Sequence, residues 1–162
     1  IILSSYPKYN KDMIYKEEKR DLFSVDDSYY IAHCISADFA LGAGIAKEID
    51  RRFNTREELR NIRSNFYEKW MRYPDLHYIM SCIVTGKIIN LVTKTRYYEK
   101  PTYETLYDAL VLMKVKCRLK KIKKIAMPLI GCGLDRLQWD RVSAMIKEIF
   151  ADEDIEILVC RR

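Results

Sequence analysis

Glycine and proline are scarce in this chain, which has five glycines and four prolines among 162 residues. No Pro/Gly/Ser-rich linker divides the chain, and no segment repeats. At this length one hydrophobic core is usual, so we expect a single domain over residues 1–162, with 1–11 as an irregular extension. Hydrophobic residues make up 49% and charged residues 32%, which excludes a disordered or collagen-like chain.

The sequence also lacks any C-x-x-C pair and any long uncharged run. Its cysteines are odd in number and widely spaced: Cys34, Cys82, Cys117, Cys132 and Cys160. This spacing argues against a zinc cluster or a disulfide framework and favours a reducing compartment. Lys87 interrupts the best candidate for a membrane span, which would need about 20 apolar residues. We therefore expect an intracellular protein, cytoplasmic or nuclear, without a membrane partner.

Short apolar runs alternate with helical periodicities along the chain. Strands are predicted at 13–16, 29–35, 78–84, 88–93, 125–130 and 155–160. Helices are predicted around Ile45–Phe53, Leu106–Cys117 and Trp139–Phe150, and residues 54–77 are helical in character without clear boundaries. This alternation predicts a mostly parallel sheet covered on both faces, with a ligand crevice at the carboxyl ends of the strands.

Four of the five glycines fall in two of the strand-to-helix loops. Gly42 and Gly44 lie in one loop, and Gly131 and Gly133 lie in the other. Glycine lets backbone N–H groups approach an anion closely, and a helix N-terminus favours negative charge. The pattern fits a diphosphate held between the loops, although two tight turns without a ligand would also explain it. Neither loop is a P-loop or a G-x-G-x-x-G motif, which disfavours a Walker NTPase and a dinucleotide dehydrogenase.

Several longer motifs carry a family resemblance. They are Arg20-Asp-Leu-Phe23, Ala32-His-Cys-Ile-Ser36, Gly42-Ala-Gly-Ile-Ala46, Thr93-Lys94, Lys100-Pro-Thr-Tyr-Glu104 and Met127-Pro-Leu-Ile-Gly-Cys-Gly-Leu-Asp-Arg-Leu-Gln-Trp139. Together they resemble a macrodomain of the terminal ADP-ribose protein glycohydrolase branch, also described as an O-acyl-ADP-ribose deacylase. The resemblance implies a three-layer α/β/α fold with a mostly parallel mixed sheet.

The resemblance also implies a role for each matching residue. Asp21 corresponds to the residue that binds the adenine amino group, with Leu22 beside it. Lys94 corresponds to the nucleophile that attacks the distal ribose, and Asp135 to the acid that handles protons. The remaining matches form two loops around the phosphates and the distal ribose: Ser36, Gly42, Ala43, Gly44, Ile45 and Ala46 in the first, and Ile130, Gly131, Cys132, Gly133 and Leu134 in the second.

The family removes ADP-ribose from acidic protein side chains and cleaves O-acetyl-ADP-ribose, without a metal or a cofactor. The implied partners are ADP-ribose and mono-ADP-ribosylated proteins, and we expect a monomer. The alternative is a macrodomain that only reads ADP-ribose or a nucleic acid. Retention of both Lys94 and Asp135 favours the enzyme, because a reader needs neither. The sequence departs from the family at Arg20, where glycine is usual, in residues 54–77 and at Arg161-Arg162.

Considered singly, these residues have simpler explanations. A lysine that ends a strand is usually a solvated charge, and an acid before a helix is usually a cap. His33 and Cys34 are neighbours in a strand and so point to opposite faces, which argues against a Cys/His nucleophile. Tyr97 and Tyr98 follow Lys94 and either cover the ligand or pack on the longer helix. Trp139 is predicted to be a core residue.

The net charge of +6 and the pI near 9.0 suggest a polyanionic partner at first. One segment accounts for the whole surplus. Between residues 109 and 134 there is no acidic side chain, and the basic ones are Lys114, Lys116, Arg118, Lys120, Lys121, Lys123 and Lys124. A helix that follows a parallel strand runs back along it, so this basic segment is predicted at the amino ends of the strands, opposite the glycine loops.

Overall fold

Six strands form one mixed sheet in the computed structural model, which describes residues 12–72, 80–133 and 137–162. They are β1 Ile14–Lys19, β2 Tyr30–Ser36, β3 Cys82–Thr85, β4 Ile88–Lys94, β5 Lys124–Met127 and β6 Glu156–Arg161. Their order across the sheet is β1-β6-β5-β2-β4-β3. Every neighbouring pair is parallel except β3 and β4, which are antiparallel. The predicted mostly parallel sheet is confirmed, and the predicted extension over 1–11 lies outside the described residues.

Helices cover both faces of this sheet. Those described are α1 Gly44–Phe53, α2 Thr55–Arg72, α3 Tyr103–Lys120 and α4 Trp139–Phe150. One core cluster joins α3 and α4 to Ala32, Ile89 and Leu91. Two smaller clusters pack α1 and α2 against Ile31, Ile35, Ile88 and other residues of the opposite face. The three-layer arrangement is therefore confirmed, with alternate residues of β2 and β4 serving opposite layers.

Several element boundaries differ from the prediction; β1, for example, spans Ile14–Lys19 and not 13–16. The strand predicted over 125–130 ends at Met127, because the chain then turns and the N–H of Ile130 donates to the carbonyl of Pro128 at 2.8 Å. The helical segment predicted over 54–77 begins at Thr55, and residues 73–79 lie outside the described residues. That gap also takes in the start of the strand predicted over 78–84.

Helix α3 begins at Tyr103, three residues before Leu106, where the predicted periodicity starts. Thr102 and Thr105 form a capping box, in which the Thr102 side chain accepts from the N–H of Thr105 at 3.1 Å. This arrangement satisfies N–H groups that a helix end otherwise leaves unpaired. The helix ends at Lys121 in the left-handed region, which turns the chain into β5. The start of β5 pairs with the start of β6, so the basic segment lies at the amino ends of the strands, as predicted.

An acidic turn faces the basic segment. Lys114 lies 3.4 Å from Asp152 and 3.6 Å from Glu153, and Arg118 lies 2.5 Å from Glu153. Lys123 pairs with Asp154 at 3.8 Å. The Lys123–Asp154 pair is exposed, and exposed ion pairs contribute little to stability, whereas Glu153 is half-buried in its pairs with Lys114 and Arg118. They do balance part of the positive charge at this end of the sheet, away from the glycine loops.

A buried polar network crosses three strands beneath α1 and α2. His33 Nε2 lies 2.6 Å from Asn90 Oδ1, and the Asn90 amide donates to the Ile83 carbonyl and to Thr85 Oγ1, both at 2.9 Å. Because the Asn90 amide nitrogen is already used, its oxygen is the acceptor and His33 donates from Nε2. Nδ1 of His33 is buried without a partner in the described structure. Burial lowers the pKa of His33 to about 4, and the hydrogen bond to Asn90 only partly opposes the shift.

The His33 imidazole should make the fold sensitive to acid. An unfolded histidine has a pKa near 6.5, so between pH 6.5 and about 4 the unfolded chain binds the extra proton. The free energy of unfolding should therefore be highest above pH 6.5 and fall by up to about 3 kcal/mol as the pH drops to 4. Urea unfolding at several pH values measures this change. His33→Gln removes the titration, so an equally steep decline in that variant would contradict the assignment.

Candidate active site

Four loops leave the carboxyl ends of the strands at one edge of the sheet. A turn at 20–24 follows β1, loop L1 (residues 37–43) follows β2, loop L2 (95–102) follows β4 and loop L3 (128–138) follows β5. Because β2 lies between β4 and β5 in the sheet, L1 is flanked by L2 and L3. The two glycine loops predicted from the sequence are L1 and L3, and the sheet brings them to the same edge.

The backbone of L1 is strained. Phe39 and Leu41 have φ values of 53° and 43°, a region that large side chains rarely adopt and that costs about 1–3 kcal/mol per residue. Both side chains are buried, at 1% and 4% exposure, in a cluster with Leu59 of α2 and Ile83 of β3. Burial of two large apolar side chains therefore stabilises a backbone conformation that is locally unfavourable.

Two arginines of α2 donate hydrogen bonds to backbone carbonyls of L1. Arg63 donates to the carbonyl oxygen of Ala37 and stacks its guanidinium 4.0 Å from the centre of the Phe39 ring. Arg56 donates to the carbonyl oxygen of Ala40. Burial lowers the pKa of Arg63, with the nearby Asp38 acting in the opposite direction. In a trans peptide the N–H points away from the carbonyl, so these contacts turn the 37–38 and 40–41 amides away from α2.

The start of α1 lies at this edge and has no side-chain cap among the described residues. Its N-cap residue, Ala43, has no side chain that can accept a hydrogen bond. Gly44 has a φ of +56°, and a Cβ there would meet no atom within 4 Å, so conformation and not space favours glycine. Gly42, Ala43 and Gly44 are exposed, and Ile45 and Ala46 are half-buried. An uncapped, accessible helix N-terminus is suited to an anion.

Asp38 connects L1 to L2. Its Oδ1 accepts from Ser36 Oγ at 2.5 Å and from the N–H of Ala40 at 3.1 Å, and its Oδ2 accepts from the N–H of Tyr97 at 2.9 Å. Its own N–H donates to the carbonyl of Thr95 at 3.2 Å. Burial acts to raise the pKa of Asp38, but these hydrogen bonds together outweigh it and lower the pKa. The carboxylate is therefore ionised at neutral pH and holds both loops.

Lys94 lies at the junction that Asp38 holds. It is the last residue of β4, its carbonyl accepts from the N–H of Ala37 at 2.9 Å, and it pairs with Ser36 just after a register shift between β2 and β4. The side chain is half-buried. The structure thus places Ser36, Lys94 and the start of L1 side by side.

Tyr97 and Tyr98 stand out from L2. They are 66% and 68% exposed, and their rings meet edge to face with centroids 5.4 Å apart. This exposure does not fit the alternative that they pack on the longer helix. Trp139, predicted to be core, is half-buried, and its Nε1 donates to Glu17 at 3.2 Å.

L3 is a tight turn around Gly131. This residue has a φ of +73°, which favours glycine, and a Cβ there would lie 2.9 Å from Leu137 Cδ1, so the Leu137 side chain would have to shift. Its carbonyl accepts from the N–H of Leu137 at 2.9 Å. Ile130 is buried, Cys132 is half-buried and Gly133 is exposed. Leu134 and Asp135 lie outside the described residues.

The turn after β1 approaches α1 from the other side. Leu22 is buried in a cluster with Ile49, and Ile45 packs against that cluster. Asp21 is exposed, and its Oδ1 accepts from the N–H of Phe23 at 2.9 Å, which fixes the turn. Arg20, where the family usually has glycine, donates to Ser24 Oγ at 3.0 Å and to the Ser24 carbonyl at 3.1 Å. The departure at Arg20 therefore braces the turn.

The structure disfavours a cysteine nucleophile at this edge of the sheet. Burial raises the pKa of the Cys132 thiol, which disfavours a thiolate, and the His33 ring is engaged with Asn90 in the interior. Cys132 and Cys34 are half-buried. Within the part of the chain that is described, no group of three or more His, Cys, Asp or Glu side chains could hold a metal ion. No helix there is long and apolar enough to cross a membrane.

Sequence reasoning missed three residues that build the site: Asp38, Arg56 and Arg63. Asp38 stands two residues after Ser36 and two before Ala40, a spacing that is typical of Asx-type hydrogen bonds. The two arginines belong to a charged helix whose surface residues all look alike in the sequence. Nothing in the sequence distinguishes the arginines that grip a loop from those in solvent.

Comparisons with known proteins agree with this architecture. Residues 32–146 match the Macro domain family. The chain is 43% identical over 141 residues to the human protein named ADP-ribose glycohydrolase OARD1, covering 87% of each, and 41% identical to the bovine protein of that name over the same length and shares. The macrodomain of Thermus aquaticus DarG has a similar fold, with a TM-score of 0.70 at 17% identity over 93% of this chain and 99% of that one. The chain therefore belongs to the macrodomain family.

Proposed function

We propose that this protein is an ADP-ribose hydrolase that releases mono-ADP-ribose from the ester linkage to acidic protein side chains. The observation that carries the proposal is the position of Lys94, which pairs with Ser36 directly beside L1 and the uncapped start of α1. A nucleophilic amine and an anion-binding helix terminus would then act on one ligand. The names of the human and bovine relatives support a glycohydrolase. Deacylation of O-acetyl-ADP-ribose is a further reaction that the same site would allow.

The ligand would lie along the carboxyl edge of the sheet. The amides of Gly44, Ile45 and Ala46 and those of L3 would hold the diphosphate, since backbone N–H groups and a helix dipole favour negative charge. Asp21 would accept from the adenine amino group with the oxygen that the turn leaves available, and Leu22 would lie beside the ring. This places the distal ribose towards Lys94.

Lys94 would act as the nucleophile and Asp135 as the proton acceptor. At neutral pH a solvated lysine is almost entirely protonated, so the amine must first lose a proton, which Asp135 takes. Exclusion of water by the bound ligand favours the neutral amine. The Nζ lone pair then attacks C1″ of the distal ribose, the C1″–O bond breaks, and the protein carboxylate leaves. Water next adds to C1″ and the C1″–N bond breaks, while Asp135 returns its proton to the lysine amine and the proton lost by water passes to solvent with the carboxylate product. Free ADP-ribose and the protonated lysine are thereby released.

The competing function is a reader that binds ADP-ribose without turnover. Lys94 and Asp135 are both present in the sequence, and simple recognition requires neither, so their presence supports the hydrolase. The two functions share the ligand site, and turnover alone separates them.

Replacing Lys94 by alanine should abolish hydrolysis while binding persists. The substrate is a protein mono-ADP-ribosylated on glutamate, and mass spectrometry follows the free ADP-ribose. We expect at least about a thousandfold loss of rate, because the covalent route disappears. Titration calorimetry should still detect ADP-ribose binding. Lys120→Ala, an exposed lysine at the end of α3, is the matched control and should behave as wild type. Normal turnover by Lys94→Ala would refute the mechanism.

Replacing Asp135 by alanine should trap the intermediate. If Asp135 manages the proton transfers that release the adduct, hydrolysis should slow and an ADP-ribosyl group should accumulate on Lys94. Peptide mapping by mass spectrometry identifies the modified lysine, and the double variant Lys94→Ala with Asp135→Ala provides the blank. Turnover at the wild-type rate without any adduct would exclude this role for Asp135.

Asp38→Asn tests whether the carboxylate positions Lys94. Asparagine has one accepting oxygen where aspartate has two, so its amide nitrogen would face either the Ser36 hydroxyl or the Tyr97 N–H, which are both donors. The hydrogen bonding between L1 and L2 should therefore weaken. We expect kcat to fall about tenfold with KM nearly unchanged, because small displacements of a reacting group cost rate. Asp26→Asn is the control, since Asp26 makes similar contacts to Ser28 in the turn before β2. A wild-type kcat with only a lowered melting temperature would show a purely structural role.

A further inference from the structure

The exposed tyrosines of L2, Tyr97 and Tyr98, are not among the residues proposed to bind the nucleotide. Tyr97 and Tyr98 are 66% and 68% exposed, whereas Tyr107 on α3 is 40% exposed. Exposure of large aromatic side chains is unfavourable, and such residues commonly mark an interface. The two rings meet edge to face at an angle of 86°, so they form one continuous aromatic surface.

The turn that carries these rings is held in place. The N–H of Glu99 donates to the Arg96 carbonyl at 3.0 Å, and the Glu99 carboxylate accepts from the N–H of Arg96 at 2.9 Å. Asp38 holds the N–H of Tyr97. Binding of a partner here would therefore cost little conformational entropy, because the backbone of the turn is already ordered and tyrosine has few side-chain torsions.

The charge around the rings is mostly positive. The exposed charged residues of L2 are two cations, Arg96 and Lys100, and one acid, Glu99. Two neighbouring carboxylates, those of Glu99 and Asp38, already accept backbone N–H groups. The surface therefore complements an acidic segment better than a basic one.

We propose that Tyr97 and Tyr98 are the docking surface for the polypeptide that carries the ADP-ribosylated residue. The inference rests on the proposed function, in which the bond to be broken lies at Lys94. Tyr97 follows Lys94 by three residues, so the Cα atoms of the two residues lie within about 10 Å, the length of three fully extended residues. Residues flanking the modified side chain would thus reach the rings, while Arg96 and Lys100 would face neighbouring carboxylates. Acidic side chains flanking the modified residue fit this surface.

The test compares a protein substrate with the free nucleotide. The variants are Tyr97→Ala, Tyr98→Ala and the double variant, and Tyr107→Ala is the control for loss of an exposed tyrosine. With a protein mono-ADP-ribosylated on glutamate within an acidic segment, the double variant should show KM raised about tenfold and kcat within about twofold. Removal of binding that is equal in the ground and transition states has this signature. The Kd for ADP-ribose and the melting temperature should match those of wild type.

Three outcomes would overturn the inference. An unchanged KM for the protein substrate shows that no polypeptide docks on the rings. An equal loss of affinity for free ADP-ribose shows that the rings cover the nucleotide instead. A concentration-dependent change of mass in wild type that the double variant lacks shows that the rings join two copies of this chain.

A failure of the proposed function gives a different result. In that case wild type releases no ADP-ribose from the modified protein, and docking is measured by binding alone. Wild type should then bind the modified protein more tightly than free ADP-ribose, and this preference should be smaller in the double variant. Raising the salt concentration should reduce the preference of wild type, because its charged part is screened. Equal affinity of wild type for the two ligands would refute the docking surface.

Discussion

The carboxylate of Asp38 joins the two loops on which the proposed chemistry depends. It accepts hydrogen bonds from Ser36 and Ala40 within L1 and from Tyr97 in L2. Lys94 lies between these anchors, and the same carboxylate fixes the start of the tyrosine turn. L1, the end of β4 and the aromatic turn of L2 therefore share one support, in addition to the backbone contacts of Lys94 with Ser36 and Ala37.

The strained backbone of L1 is stabilised by contacts with α2, which links this helix to the candidate site. Phe39 and Leu41 adopt left-handed conformations, and their burial together with the grip of Arg56 and Arg63 offsets the local cost. Strain of this kind persists where the surroundings over-determine it, commonly at functional sites. A helix that looks like a solvated surface element in the sequence thus shapes L1.

The basic segment lies at the amino ends of the strands, away from the candidate site. Lys114, Arg118 and Lys123 face the acidic turn at 152–154, at the edge of the sheet opposite L1 and L3. A phosphate-binding site built from backbone amides needs few cations, because the amides and the helix dipole supply the positive potential. The net charge is accordingly a poor guide to the ligand.

The sequence by itself determined the layer architecture, the two glycine loops and Lys94 at a strand end, because periodicity and turn residues act locally. It did not determine where β5 stops, since Met127 and Ile130 are equally apolar and only the turn at Pro128 separates them. Nor did it determine the roles of Asp38, Arg56 and Arg63. Those roles depend on which loops the sheet brings together, and that proximity arises from strand order. Contacts across the sheet edge exist only once the tertiary structure has formed.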